Sequence, residues 1–286
     1  MNNPGMKNSR NFTYAGRASG TARLEEAFRR RIDAGQKALI TFVTAGDPDL
    51  DLTVKLVPAM AAAGADIVEL GIPFSDPLAD GPVIQAASAR ALAQGTRLPD
   101  IFEKVSEIRR QIDIPLVFLL YFNTIFQYGA ERFLGDCAQR GVDGLIVPDL
   151  PPEEMAPYLP ASRFYGIPFI RLVTPLSAGR IRTIVSAAEG FVYCVSSPGV
   201  TGIRSRFTTD FPAFFREVDA CRRVPSALGF GISDPAQAAS LKGYCDGLIV
   251  GSALVREIAS SQSDHDAALQ GIIRLTGAFR KALDKD

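Results

Sequence analysis

Glu69 and Asp80 are the residues of this 286-residue chain whose setting points most directly to chemistry. Glu69 lies near the end of an apolar run, Asp66–Leu70, and Asp80 lies near the end of the loop Gly71-Ile-Pro-Phe-Ser-Asp-Pro-Leu-Ala-Asp80-Gly-Pro82. In an extended run the side chains alternate, so Ile67 and Glu69 share one face while Val68 and Leu70 share the other. If Val68 and Leu70 pack under helices, Glu69 points inward. An unpaired carboxylate there either costs several kcal/mol or takes up a proton. A raised pKa is what a general acid/base needs near neutrality. The structural alternative is a glutamate paired with a buried lysine or arginine. The loop after it holds three prolines and two aspartates in twelve residues, a stiff frame for presenting a carboxylate. Asp76 and Asp80 can each be turn formers, but Asp80, on the far side of the loop, could also reach back over the mouth of a barrel.

Two glycine-rich segments suggest an anion. Gly229-Phe-Gly231-Ile-Ser233 follows a seventh apolar run, and Gly251-Ser252 follows an eighth and opens a helix at Ala253. Glycine lets backbone N–H groups approach an anion, and a helix N-terminus adds partial positive charge. A phosphorylated small molecule fits both segments; either alone is compatible with a simple turn. The sixth run, Phe191–Val195, puts Tyr193 on one face with Phe191 and Val195. It continues into Ser196-Ser-Pro-Gly-Val-Thr-Gly-Ile-Arg-Ser205, which reads as a connector or as a lid that closes over substrate.

Composition removes other chemistries. With one histidine, His265, a His-rich metal site and an HExxH helix are impossible. His265 stands in Ser263-Asp-His-Asp266, a helix-start sequence, and is expected to be a solvated neighbour of a cap. The four cysteines are far apart without CxxC, which suggests reduced core thiols and a cytoplasmic protein rather than zinc or a disulfide framework. Thirty-one Lys+Arg balance 31 Asp+Glu, which argues against binding to nucleic acid or an anionic membrane. The longest uncharged run, Ile114–Ala130, contains Pro115, Asn123 and Gln127 and is no membrane span. Residues 1–24 lack an acid and an apolar h-region, so a secretory signal is not expected.

What could hold these residues in place is a repeated strand–helix pattern. Eight short apolar runs, Ala38–Val43, Asp66–Leu70, Pro115–Tyr121, Gly144–Val147, Pro168–Val173, Phe191–Val195, Ser226–Gly229 and Gly247–Val250, are each followed by helix-compatible sequence. Continuous Val/Ile/Leu runs fit strands buried on both faces of a parallel sheet. Eight such units in about 250 residues predict a single α/β domain, a (β/α)8 TIM barrel, over residues 22–286. A doubly wound open sheet is the alternative, weakened because no GxGxxG follows the first run. Three even-numbered runs begin alike, at Gly64-Ala-Asp66, Gly141-Val-Asp143 and Cys245-Asp246, a faint echo that suits repeated units. Ahead of the barrel an extra amphipathic helix is predicted over Arg23–Ala34, with Leu24, Ala27, Phe28 and Ile32 on one side. Residues 1–21 read as a disordered extension, with a transit peptide as the minority alternative.

The segments Phe42-Val-Thr-Ala-Gly-Asp-Pro48, Glu69 to Pro82, Val147-Pro-Asp-Leu-Pro151, Gly199-Val-Thr-Gly202 and Gly229-Phe-Gly-Ile-Ser233 occur in this order. On them the chain resembles the tryptophan synthase alpha subunit family over roughly residues 22–286; the stretch from Glu69 to Pro82 is the most specific. The resemblance implies retro-aldol cleavage of indole-3-glycerol phosphate to indole and glyceraldehyde 3-phosphate. It implies Glu69 as the general acid/base at indole C3 and Asp80 as the hydrogen-bond partner of the indole N–H. It further implies an apolar wall of Phe42, Ile84, Leu119 and Phe230, with Tyr193 beside Glu69. Thr201 in the lid would meet Asp80 on closure, and Gly202, Gly231, Gly251 and Ser252 would bind phosphate. The family pairs its alpha chain with a beta subunit in an alpha2beta2 heterotetramer, whose pyridoxal phosphate belongs to the beta chain, so no cofactor is expected on this one. The loop after the second run and the segment after the third are the implied contact surface. A stand-alone lyase and a silent phosphosugar-binding subunit are the competing readings; retention of both Glu69 and Asp80 argues against the second.

Overall fold

The computed structural model describes residues 17–177, 179–196, 209–229, 231–261 and 264–284. Eight short strands alternate with helices: β1 (Ala38–Thr44), β2 (Ile67–Gly71), β3 (Leu116–Leu119), β4 (Gly144–Ile146), β5 (Arg171–Val173), β6 (Val192–Val195), β7 (Ser226–Gly229) and β8 (Gly247–Val250). Helix α1 (Gly20–Asp33) precedes them. Then follow α2 (Leu50–Ala62), α3 (Pro82–Ala93), α4 (Leu98–Arg109), α5 (Phe122–Tyr128), α6 (Ala130–Arg140) and α7 (Leu159–Tyr165). The last third carries α8 (Ile181–Ser186), α9 (Phe211–Asp219), α10 (Pro235–Leu241), α11 (Ser252–Ser260) and α12 (His265–Asp284). Every strand pairing is parallel, in the order β4-β3-β2-β1-β8-β7-β6-β5. A single parallel bridge, Leu145 to Phe169, joins the two ends of that order and closes the barrel. The open-sheet alternative is thereby excluded.

The side-chain alternation expected of β2 holds: Val68 and Leu70 pack in the layer between strands and helices, whereas Ile67 lies in the barrel interior with Ile40, Val117, Ile146, Ile170, Phe191 and Ile249. Four runs are shorter as strands than the sequence suggests, those of β4 and β6 by a single residue and those of β3 and β5 by more. Strand β3 ends at Leu119 rather than Tyr121, although Leu120 N–H still bonds to Ile146 O at 3.0 Å. Residues 168–170 make only the closing bridge, so β5 is confined to Arg171–Val173.

Helix α1 floors the barrel. Leu24, Ala27 and Phe28, spaced i, i+3, i+4, join the interior cluster, and the Phe28 and Phe191 rings lie 5.4 Å apart. Ile32 shares that side of the helix but, one turn further along, lies past the floor and is 44% exposed. The helix opens at Gly20, inside the stretch assigned to the extension, because Ser19 accepts a hydrogen bond from Ala22 N–H at 3.3 Å as its N-cap.

The echoed aspartates explain themselves at the amino ends of the strands. Asp66 accepts the Leu39 N–H of β1 at 2.8 Å, Asp143 the Leu116 N–H of β3 at 2.9 Å, and Asp246 the Ser226 N–H of β7 at 3.0 Å. In each case the aspartate's own N–H returns to the carbonyl of the same residue, at 2.8, 2.7 and 2.9 Å respectively. Arginines close the other side: Arg31 and Arg280 on Asp66, Arg23 and Arg109 on Asp143, Arg222 on Asp246. These clasps belong to the stability face of the barrel; reactive groups gather at the opposite, carboxyl ends.

His265 opens α12 beside the capping Asp264, as the sequence suggests, and its Nε2 pairs with Asp49 at 3.0 Å. All four cysteines are free, three of them buried. No helix among the described residues is long and apolar enough to cross a membrane.

Candidate active site

A cavity of about 440 Å³, counting its open mouth, lies at the carboxyl ends of the strands. Phe42 of β1, Ile84 of α3, Leu119 of β3, Ile249 of β8 and Ile232 form its apolar walls. Glu69, Asp80 and Tyr193 supply polar groups, and Gly231, Gly251 and Ser252 complete the lining. The structure thus brings together every described residue that the sequence singled out for the site. Thr201, Gly202 and Phe230 lie outside the described residues.

Glu69 has no exposed surface, and neither carboxyl oxygen has a hydrogen-bond partner among the described residues. Among the described residues no buried lysine or arginine neutralises it, which goes against the structural alternative. Burial alone pushes its pKa to about 8, which leaves it protonated at neutral pH. Asp80 is also buried, and burial raises its pKa to about 6, opposed by the Tyr121 hydroxyl, which donates to Oδ2 at 3.1 Å. The same phenol oxygen accepts the Ala79 N–H at 2.9 Å, and the Tyr121 ring stacks on Phe74 with centroids 5.1 Å apart. Asp76, by contrast, is exposed and engaged in its own turn, accepting from the Ser75 hydroxyl at 2.5 Å. The turn alternative therefore holds for Asp76 and fails for Asp80.

Tyr193 points into the barrel with Val195, and burial holds its hydroxyl well above the usual phenol range. Space for it comes from Gly229 on β7, where a Cβ would lie 2.6 Å from the Tyr193 oxygen. Gly231 adopts φ +81°, a conformation glycine takes freely, at the turn that carries the chain past the pocket. At β8 the pocket meets the start of α11. Gly251 occupies the N-cap without a side-chain hydrogen bond, so the helix's first-turn N–H groups need an outside acceptor. That is a suitable end of the pocket for an anion.

Tyr121 was not singled out in the sequence, although parity could have found it. It falls two residues beyond the pocket residue Leu119 and lies at the end of the third apolar run. Ile249 relates in the same way to Gly251.

Two buried carboxyl groups in an otherwise apolar slot, at the carboxyl ends of eight parallel strands, are equipment suited to acid–base chemistry in a (β/α)8-barrel enzyme. A sequence model described as tryptophan synthase alpha chain matches residues 28–284. The chain belongs to the tryptophan synthase alpha chain family, lyases that cleave indole-3-glycerol phosphate in tryptophan biosynthesis. Among its relatives, the tryptophan synthase alpha chain of Caldanaerobacter subterraneus subsp. tengcongensis is 53% identical over 237 residues, 83% of this chain and 90% of that one. The alpha chain of a Thermoanaerobacter species is 48% identical over 261 residues, 91% of this chain and 99% of the relative. Among solved structures, Mycobacterium tuberculosis tryptophan synthase superposes with a TM-score of 0.84 at 36% identity, covering 92% of this chain and 99% of that one. The Legionella pneumophila alpha subunit gives 0.82 at 34%, covering 92% and 98%.

Proposed function

We propose that Glu69 and Asp80 carry the cleavage of indole-3-glycerol phosphate in this chain. The observation that supports this most is the isolation of Glu69: a fully buried carboxyl, without a hydrogen-bond partner among the described residues, that holds its proton to about pH 8. Glu69 gives that proton to indole C3, which turns the ring into a cationic indolenine. The resulting carboxylate then takes the proton of the hydroxyl on the carbon attached to C3. As that oxygen becomes a carbonyl, the C–C bond breaks and its electron pair returns to the indolenine. Indole and glyceraldehyde 3-phosphate leave, and Glu69 is again protonated. Asp80, ionised above about pH 6, accepts a hydrogen bond from the indole N–H that strengthens as the ring gains positive charge.

Phe42, Ile84 and Leu119 give the flat ring an apolar slot, and Tyr193 stands next to the reacting carbon. The phosphate lies against Gly231, Gly251 and Ser252, where backbone N–H groups and the α11 dipole supply the positive field. Gly202 and Thr201 take their family roles as phosphate binder and lid contact. The chain works with a beta subunit in an alpha2beta2 complex in the cytoplasm; pyridoxal phosphate is carried by the beta chain and not by this one.

Indole release from indole-3-glycerol phosphate, assayed with and without a beta subunit, tests this reading. Glu69→Gln should abolish turnover while a phosphate-bearing analogue still binds, and Asp80→Asn should lose around 10²-fold or more in rate. Normal turnover in either variant removes that residue from the mechanism; full activity without any gain from a beta subunit removes the partner.

A further inference from the structure

We propose that Asp149 is a positioning residue for the reaction: by holding the start of α5, it keeps the Tyr121 hydroxyl on Asp80. The inference rests on the reading of Asp80 as a catalytic carboxylate. Asp149 lies in Val147-Pro-Asp-Leu-Pro151, the loop after β4, framed by Pro148 and Pro151. Its carboxylate is exposed to solvent, yet both oxygens take the Phe122 N–H, at 2.9 and 3.1 Å. Phe122 is the first residue of α5, and Tyr121 just before it makes no side-chain cap. Asp149 therefore supplies, from another loop, the capping acceptor that a seven-residue helix lacks locally.

Tyr121, at this junction, has extended backbone (φ −87°, ψ 145°), and its ring turns inward to Phe74, Ala79 and Asp80 as α5 begins outward. From Asp149 to Asp80 the connection is two hydrogen bonds and one peptide unit: Asp149 to Phe122 N–H, then Tyr121 hydroxyl to Asp80. The loops after β2, β3 and β4 are thus tied together at the carboxylate that stabilises the indolenine. With the cap gone, the first turn of α5 frays and the Tyr121 hydroxyl loses its fixed place.

The sign of the effect separates this role from a simple charge effect. Among the described residues, the ionisable side chains around Asp80 are Tyr121 at the end of β3, Tyr193 of β6 and Glu69 of β2. Removing the negative charge of Asp149 alone would make nearby carboxyls more acidic. Losing the Tyr121 donor makes Asp80 less acidic, because that hydrogen bond favours its ionised form.

The test is the pH dependence of indole release for the full chain with its beta subunit. Asp149→Ala should lower kcat several-fold with KM within twofold, and move the acid limb to higher pH while the alkaline limb stays. Asp149→Asn, which keeps an acceptor oxygen for Phe122 N–H, should restore both. In a Tyr121→Phe background, Asp149→Ala should add no further loss. An unmoved acid limb in Asp149→Ala, or losses that add in the double variant, overturns the inference. An Asp80→Asn variant that retains full activity instead overturns the reading of Asp80 itself, so the two failures are distinct.

Discussion

Glu69 and Asp80 line one pocket, yet their acidities are held apart, at about 8 and about 6, because Glu69 is the more deeply buried and, among the described residues, Asp80 alone has a phenolic donor. The mechanism needs Glu69 protonated and Asp80 ionised, and both conditions hold only between those values. The pH profile of kcat/KM for indole release should therefore be bell-shaped, rising through about 6 and falling through about 8. In Tyr121→Phe the rising limb should move up in pH and the falling limb should stay. A profile without an alkaline limb would show that Glu69 does not act as the acid.

Housing a fully buried glutamate costs stability, and the sign follows from the proton. The folded chain keeps the Glu69 proton to about pH 8, whereas the ordinary value for a glutamate is 4.5. Its burial is therefore least costly below about 4.5, and stability is lost as pH rises toward 8. Glu69→Gln removes this dependence. Urea titrations should find the variant increasingly more stable than the parent from pH 5 to pH 8, by a difference on the order of 3 kcal/mol at the upper end. An equal difference at both values would mean that Glu69 is ionised in the folded chain.

Gly229 leaves the room in which the Tyr193 hydroxyl sits. A methyl there would come within 2.6 Å of that oxygen, so Gly229→Ala should push the ring into the pocket. The chain should still fold, with a KM for indole-3-glycerol phosphate raised about tenfold or more by the loss of pocket fit. Steady-state kinetics check this; an unchanged KM would place the Tyr193 ring outside the substrate's path.

Arg90 of α3 grips the buried Asp47 with two parallel hydrogen bonds, Nε to Oδ1 at 2.7 Å and a terminal nitrogen to Oδ2 at 2.8 Å. The pair ties α3, which carries Ile84 and follows directly on Asp80, to the loop after β1. Burial already raises the Asp47 pKa, against the pull of Arg90. Arg90→Met should strand that carboxyl and destabilise the chain by ~3–5 kcal/mol at pH 7. Thermal melts should narrow the deficit at low pH, where Asp47 is neutral. No deficit at pH 7 would mean that the pair contributes nothing net.

The barrel could be read from the sequence because its signal is local: each buried strand is a short apolar run, and each run ends where a helix pattern begins. Glu69 was legible for the same reason, as a carboxyl on the inward parity of such a run. Asp80 was harder, since Asp76 in the same loop has equal claim to being a turn residue, and only burial separates them. Tyr121 was legible only through its parity with Leu119, and Asp149 was not legible as functional. The contacts they make depend on which loops meet across the barrel mouth, and no spacing along the chain encodes that. The echoed aspartates were visible as a repeat, but their pairing with the preceding strand appears only in three dimensions.

Those aspartates set where the barrel can breathe. The β1–β2, β3–β4 and β7–β8 pairs each carry a clasp and, among the described residues, the other pairs carry none; β4 alone meets its neighbour β5 through one bridge, with bonds of 2.9 and 2.8 Å. The least braced seam thus lies between β4 and β5, diametrically away from the β8–β1–β2 arc that holds Gly251, Phe42 and Glu69. Amide hydrogens along that seam are the ones local opening would expose first to deuterium, while the reacting arc keeps its register. The molecule can loosen on one side of its wall without disturbing the alignment of its proton donor.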